Sequence, residues 1–248
     1  MVLTVEAESC SAVLPFQFYM LSRPDSGDFP FLPRPISVYD ASERSLDFLV
    51  KVVGKGTASL ADLRLGDELQ LTGPLGNGVS ALDPARRLVG VAGGVGIAPF
   101  LLLFRRLAAG LLPAGTEKPA LVFGARTKEF LYDLDLFQEL PVEIRIATED
   151  GSLGKRGLVT DLLKDVLSAA PCEVLTCGPD RMMAEVAVLC EKSNVPCRVS
   201  LETYMACGIG VCNCCAVKVA DERYRGGYRY DRCCVNGPVF DAAAIESL

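Results

Sequence analysis

RLVGVAGGVGIAP, residues 87–99, is the stretch whose reading decides the fold. A short apolar strand runs into a turn where Gly93, Gly94 and Gly96 let the backbone approach a pyrophosphate at a helix start. The turn is not the spaced G-x-G-x-x-G fingerprint, and taken alone it reads equally as a tight turn. Its surroundings add weight to the phosphate reading. Downstream, helical periodicity in 101–110, 130–140, 157–167 and 181–194 alternates with apolar strands at 120–126, 142–148 and 172–178. Repeated strand–helix units predict an open parallel sheet with helices on both faces, which binds ligands at the carboxyl ends of its strands. Cys177-Gly178-Pro179 closes one of those strands and sets a second loop at the same edge, while also serving as a helix-start turn.

Upstream of residue 86 the pattern changes. Segments 16–21, 36–40, 46–53 and 67–73 are short strands broken by turn signals, which predicts a small antiparallel barrel or sandwich. Arg34-Pro35-Ile36-Ser37 offers a guanidinium, a rigid residue and a hydroxyl, suited to a phosphorylated cofactor, although an arginine in a surface loop looks the same. Gly54-Lys55-Gly56-Thr57 offers backbone N–H groups and a hydroxyl to a pyrophosphate. The turn-rich joint 73–78 leads onward. Three parts are expected: 1–84, 85–196 and 197–248.

Composition narrows the chemistry. Half of the 248 residues are hydrophobic, yet runs such as Ile97 to Phe104 are far too short to cross a bilayer. The opening residues lack a secretory pattern, so the expectation is a cytoplasmic protein. A net charge of −6 without a basic block argues against nucleic acid. The chain has no histidine, which excludes His-based acid–base catalysis and His-containing metal sites, and it has eleven cysteines.

Those cysteines concentrate near the end. Cys207, Cys212, Cys215 and Cys234 give C-x4-C-x2-C…C, the plant-type [2Fe–2S] spacing, and Gly208 and Gly210 let the loop curl around a cluster. Buried thiols are the plainer alternative, but three at this spacing in a glycine-rich loop argue against it. A four-thiolate set also suits zinc, whose knuckles use two C-x2-C pairs where only one half here has one. Cys214 and Cys233 are read as non-ligands. Cys10, Cys172, Cys190 and Cys197 are read as core residues, with Cys177, at a strand end beside Gly178-Pro179, set apart from them.

In chain order, Arg34–Ser37, the turn at 93–99, Cys177-Gly178-Pro179 and the terminal thiols resemble the ferredoxin-reductase superfamily. Residues 205–212 and Asn236-Gly237-Pro238-Val239-Phe240 are most similar to the electron-transfer subunits of NAD-linked (class 1B) dihydroorotate dehydrogenases. The resemblance covers nearly the whole chain. It implies FAD held by Arg34, Pro35, Ile36 and Ser37, with Leu49, Val50 and Lys51 beside its ribityl chain and Gly56 and Thr57 at its pyrophosphate. Gly93, Gly94, Gly96, Gly178 and Pro179 would face NAD, and the ligand four residues before the Gly-Pro-Val-Phe proline would be Cys234. It also implies no catalytic side chain, and an FMN-containing dihydroorotate dehydrogenase catalytic subunit as partner in a heterotetramer of two of each. The task would be to carry electrons from that subunit through [2Fe–2S] and FAD to NAD in pyrimidine (UMP) biosynthesis. A reductase subunit serving a sulfide dehydrogenase or a glutamate-synthase-like system is the alternative, and a zinc-bound interaction module is a third. Arg126 would suit NADP if it met a 2′-phosphate, or would simply be solvated. Two departures stand out: the family's strand before Pro15-Phe16-Gln17-Phe18 looks missing, with Phe16 replacing a family glycine, and the loop between Cys215 and Cys234 is rich in Arg and Tyr.

Overall fold

The computed structural model describes residues 1–7, 10, 12–24, 31–112, 115 and 117–246. Alternation begins at the first residues, where Leu3 and Val5 turn inward and their neighbours outward, the two-residue period of a half-buried strand. The first part contains β1 (Val2–Glu6), β2 (Phe18–Ser22), β3 (Arg34–Ser37), β4 (Asp40–Ala41), β5 (Ser45–Leu49), α1 (Lys55–Ala61) and β6 (Gln70–Leu75). They form two antiparallel three-stranded sheets, β1-β5-β4 and β3-β2-β6, over a core that includes Tyr19, Leu21, Val38, Leu46, Phe48 and Leu60. The expectation of a missing first strand is corrected here. β1 pairs with β5 from Val2 opposite Leu49 to Glu6 opposite Ser45, and the Met1 ammonium donates to the Val50 carbonyl at 3.1 Å.

Phe16 has φ +69°, which explains why a glycine belongs at this position. Its ring is 1% exposed and meets Phe100 edge-on at 5.0 Å, so packing between two parts of the chain holds a backbone that a bulky residue disfavours.

The second part follows as β7 (Arg87–Gly93), α2 (Ala98–Ala108), β8 (Ala120–Ala125), α3 (Leu134–Gln138), β9 (Glu143–Thr148), β10 (Lys155–Arg156), α4 (Val159–Leu167), β11 (Cys172–Cys177), α5 (Asp180–Lys192) and β12 (Cys197–Ser200). The chain ends with β13 (Ala216–Ala220), β14 (Tyr228–Arg232), α6 (Cys233–Asn236) and β15 (Val239–Asp241). One seven-stranded sheet runs β10-β9-β8-β7-β11-β12-β15, parallel throughout except for β15. Strand alternation gives it two faces. Leu88, Leu121, Phe123 and Leu175 pack toward α2, with Phe100 filling the space left by Gly90, while Val89, Val91, Val122 and Val174 pack toward α4 and α5. The chain winds outward from β7 to β10 and then reverses to β11, so the crevice between β7 and β11 is where such a sheet takes its ligand.

Two further expectations are corrected. The helix expected over 130–140 is only Leu134–Gln138, because Asp133 is left-handed at φ +50° and its carboxylate accepts the Tyr39 hydroxyl at 2.8 Å. The expected division at 196/197 falls just before β12, which pairs with β11, so the sheet continues past it and β15 later returns to the same sheet. The C-terminal segment shares its core with both other parts: Cys215, Val217, Cys233 and Cys234 pack with Phe18, Met20, Met183 and Val199. Between the thiols, β13 and β14 form a hairpin whose connecting loop is tied by Asp221 to Arg223, at 2.8 Å, and to Arg229. No helix among the described residues is long and apolar enough to cross a membrane.

Candidate functional site

At the carboxyl ends of β7 and β11 the two predicted turns meet. A Cβ on Gly96 would collide with the Cys177 carbonyl, and one on Gly93 would collide with Pro179 and Met182. These two glycines, with Gly178, therefore allow the turns to pack against each other. Gly94 differs. It has φ +53° with open space where a side chain would be, and it presents its backbone to a cleft of about 1030 Å³. The cleft is lined by Gly93, Gly94, Gly96, Gly178 and Pro179, together with groups from other strand ends. Burial pushes the Cys177 thiol far up, Glu202 adds to this and Ser200 opposes it, so Cys177 stays a neutral thiol beneath the turn.

The N-terminal sheets contribute to the same cleft through Lys51, whose ammonium lies 5.7 Å from the Phe130 ring centre. The Leu49 and Val50 side chains are buried in two different cores, so of these three residues only Lys51 offers a side chain to a ligand. Arg34, Pro35, Ile36 and Ser37 make up β3, a half-buried strand at the edge of its sheet. The Arg34 guanidinium crosses the spot where a Gly56 side chain would sit, so a larger residue there would displace it. The Thr57 hydroxyl has partners within its own turn. It accepts the Val53 and Gly54 N–H groups at 2.9 and 3.2 Å and donates to the Gly54 carbonyl at 3.1 Å. It thereby closes the capping box at the start of α1.

The terminal thiols arrange themselves in pairs. Cys215 and Cys234 have their sulfurs 3.3 Å apart, while the Cys212 N–H donates to the Cys207 sulfur at 3.4 Å and the Cys214 N–H to the Cys212 sulfur at 3.5 Å. Gly208 and Gly210, at φ +71° and +83°, curl the loop so that its N–H groups point at sulfur. The Cys212 N–H, with the Cys212 thiol and the Ile209 and Val211 N–H groups, lowers Cys207 to about 6. Burial, then the Cys215 thiol, pushes Cys234 up to about 12. Cys233 turns the other way, donating to the Leu201 carbonyl at 3.5 Å and fully buried. Cys214 is exposed. Among the described residues no three thiol or carboxylate groups converge tightly enough for a single metal ion. Two thiol pairs wrapped by N–H donors suit a two-iron cluster, one pair for each iron.

Some cleft residues escaped the sequence reading. Tyr132, Glu149, Arg181, Glu202 and Tyr204 all line it. Glu149 and Glu202 come directly or nearly directly after β9 and β12, and that position at a parallel strand's carboxyl end was the available signal. Nothing in their local sequence marks Tyr132 or Arg181.

A barrel-like pair of sheets, a switch-point cleft and a thiol loop define an oxidoreductase of the ferredoxin-reductase type. The profile of the iron–sulfur cluster binding domain of dihydroorotate dehydrogenase B matches residues 202–246, and that of the oxidoreductase NAD-binding domain matches 91–187. The chain is 41% identical to the electron transfer subunit of dihydroorotate dehydrogenase B (NAD(+)) from Clostridium acetobutylicum, over 92% of this chain and 84% of that protein. The subunit of the same name from Caldanaerobacter subterraneus subsp. tengcongensis is 39% identical, over 93% and 86%. A solved structure described as an NADH-dependent reduced ferredoxin-NADP oxidoreductase, in work on flavin-based electron bifurcation, superposes with TM-score 0.82 at 28% identity, covering 99% of this chain and 85% of that one. The chain belongs to the family of dihydroorotate dehydrogenase B (NAD(+)) electron transfer subunits.

Proposed function

We propose that this chain relays electrons from an FMN-containing dihydroorotate dehydrogenase subunit to NAD, in a heterotetramer of two copies of each, within pyrimidine biosynthesis. When bound, [2Fe–2S] supplies one-electron transfer, and FAD exchanges single electrons with it and a hydride with NAD. The observation that carries the reading is the adjacency of cluster loop and flavin sheet: a Cβ on Gly208 would meet Met20 of β2 and Leu75 of β6. The thiol loop is thus packed onto the sheet whose edge strand bears Arg34–Ser37.

The residues divide the work. Cys207, Cys212, Cys215 and Cys234 hold the cluster, and loop N–H groups favour the thiolate state of Cys207. Arg34 and the outer edge of β3 hold the flavin nucleotide, with Gly56 admitting the guanidinium close to α1. Gly94 opens the nucleotide cleft, and Lys51 carries a positive charge from the flavin side to its wall. No side chain needs to move a proton, which accords with a chain that has no histidine.

Anaerobic purification of the tagged chain from its native host, with identification of what accompanies it, tests the reading. An FMN-type dihydroorotate dehydrogenase is expected, and the isolated chain should oxidise NADH with an artificial acceptor but leave dihydroorotate untouched. Dihydroorotate oxidation by the isolated chain would overturn the division of labour. A second reading, a reductase serving another redox partner, draws on the near full-length match to the NADH-dependent ferredoxin-NADP oxidoreductase. Recovery of a different oxidoreductase would favour it.

A further inference from the structure

Two charged side chains on the cleft wall have no task in the relay. Arg126 follows β8 and Glu149 follows β9, and both line the cleft. The strand register sets them side by side. Ala125 lies opposite Thr148, the Glu149 N–H donates to the Ala125 carbonyl at 3.1 Å, and the Asp150 N–H donates to the Arg126 carbonyl at 3.2 Å. Both side chains are exposed, and neither has a hydrogen-bond or ion-pair partner among the described residues.

The carboxylates around Glu149 are already committed. Asp150 accepts the Ser152 hydroxyl at 2.7 Å and its N–H at 3.0 Å, Asp161 accepts the Leu158 N–H at 3.1 Å, and Glu185 pairs with Arg181 at 3.4 Å. On the β8–β9 side of the switch point Glu149 is therefore the available acceptor. A second cation stands near: Arg156 on β10 is the neighbour of Thr148 and runs its aliphatic stem past Gly151.

In a switch-point site, a carboxylate at a neighbouring strand end takes the ribose 2′-hydroxyl, and a nearby arginine accommodates a 2′-phosphate. Here both sit on one wall. We propose that Glu149 sets the nucleotide choice: its carboxylate accepts the adenosine ribose hydroxyls and repels a 2′-phosphate, and Arg126 is a latent phosphate anchor held in check by that charge. This rests on the cleft being the NAD site. A bound hydroxyl gains a charge-assisted hydrogen bond, whereas a phosphate brings like charges together.

The test uses ligands that undergo no redox chemistry. The flavin- and cluster-loaded protein is titrated calorimetrically with ADP-ribose and with 2′-phospho-ADP-ribose. Wild type should prefer ADP-ribose by about tenfold or more, and Glu149→Gln should lower that preference by about tenfold, weakening the first ligand and strengthening the second. Adding Arg126→Ala to Glu149→Gln should abolish the gain for the phosphorylated ligand. An unchanged preference in both Glu149→Gln and Glu149→Ser, with spectra matching wild type, would overturn the assignment while leaving the NAD site in place. Failure of wild type to bind either ligand would overturn the NAD reading of the cleft as well.

Discussion

The cluster loop and the nucleotide cleft solve the problem of holding a redox partner in opposite ways. In the loop, three of the four thiols lie within nine residues, and the backbone between them supplies the N–H groups. In the cleft, the wall is assembled from the ends of β5, β7, β8, β9, β11 and β12, and side-chain identity matters less than the absence of side chains at Gly93 and Gly96. The loop depends on local covalent chemistry. The cleft depends on long-range packing, so substitutions should act on the two in different ways.

The largest contrast should come from adjacent cysteines. Cys234→Ser should remove nearly all cluster iron and the cluster's share of the visible absorbance while the flavin bands remain, whereas Cys233→Ala should keep both, because its sulfur faces Leu201 instead of Cys215. Iron and sulfide analysis of the two purified variants checks this. Equal loss in both would erase the distinction between the two thiols.

Next comes the contact between the N-terminal sheets and α2. Phe16→Gly deletes a fully buried ring at a cost of about 3–5 kcal/mol, offset by about 1–2 kcal/mol from relief of the left-handed backbone. Urea unfolding should show a net loss of about 1–4 kcal/mol. A gain in stability would mean that strain outweighs packing there. The cleft glycines should separate more gently. Gly96→Ala forces a Cβ onto the Cys177 carbonyl and should cost about 1–3 kcal/mol with weakened nucleotide binding. Gly94→Ala meets open space and should cost only the left-handed penalty, about 1–2 kcal/mol. Denaturation curves run with and without NAD distinguish the two. Smallest is Tyr39→Phe, which loses one hydrogen bond to Asp133 and should cost about 1 kcal/mol in thermal unfolding.

The same contrast explains what could be read from the chain. The parallel sheet and its turns were legible because strand–helix alternation and glycine punctuation are local patterns, and the thiol loop because ligand spacing is local. Choosing Cys234 over Cys233 needed the family's Gly-Pro-Val-Phe motif, since adjacent residues look alike until one is seen to face Cys215 and the other Leu201. β1 was overlooked because five residues of alternating pattern are a weak signal without their partner β5. The helix over 130–140 was overextended because the left-handed turn at Asp133 is held by Tyr39, a residue remote in sequence. The capping role of the Thr57 hydroxyl becomes visible only once α1 is built. Tyr204 was missed because its place on the cleft wall exists only in three dimensions, whereas Glu149 directly follows β9, a strand-end position that the sequence did offer.

The relay through this chain is tested most directly by reconstituting dihydroorotate-dependent NAD reduction anaerobically from the purified chain and its catalytic subunit, with wild type and Cys234→Ser in parallel. The account predicts that NADH forms only when both proteins are present, and that Cys234→Ser abolishes its formation while still binding FAD and NAD. Undiminished NADH formation with the cluster-free variant would contradict it.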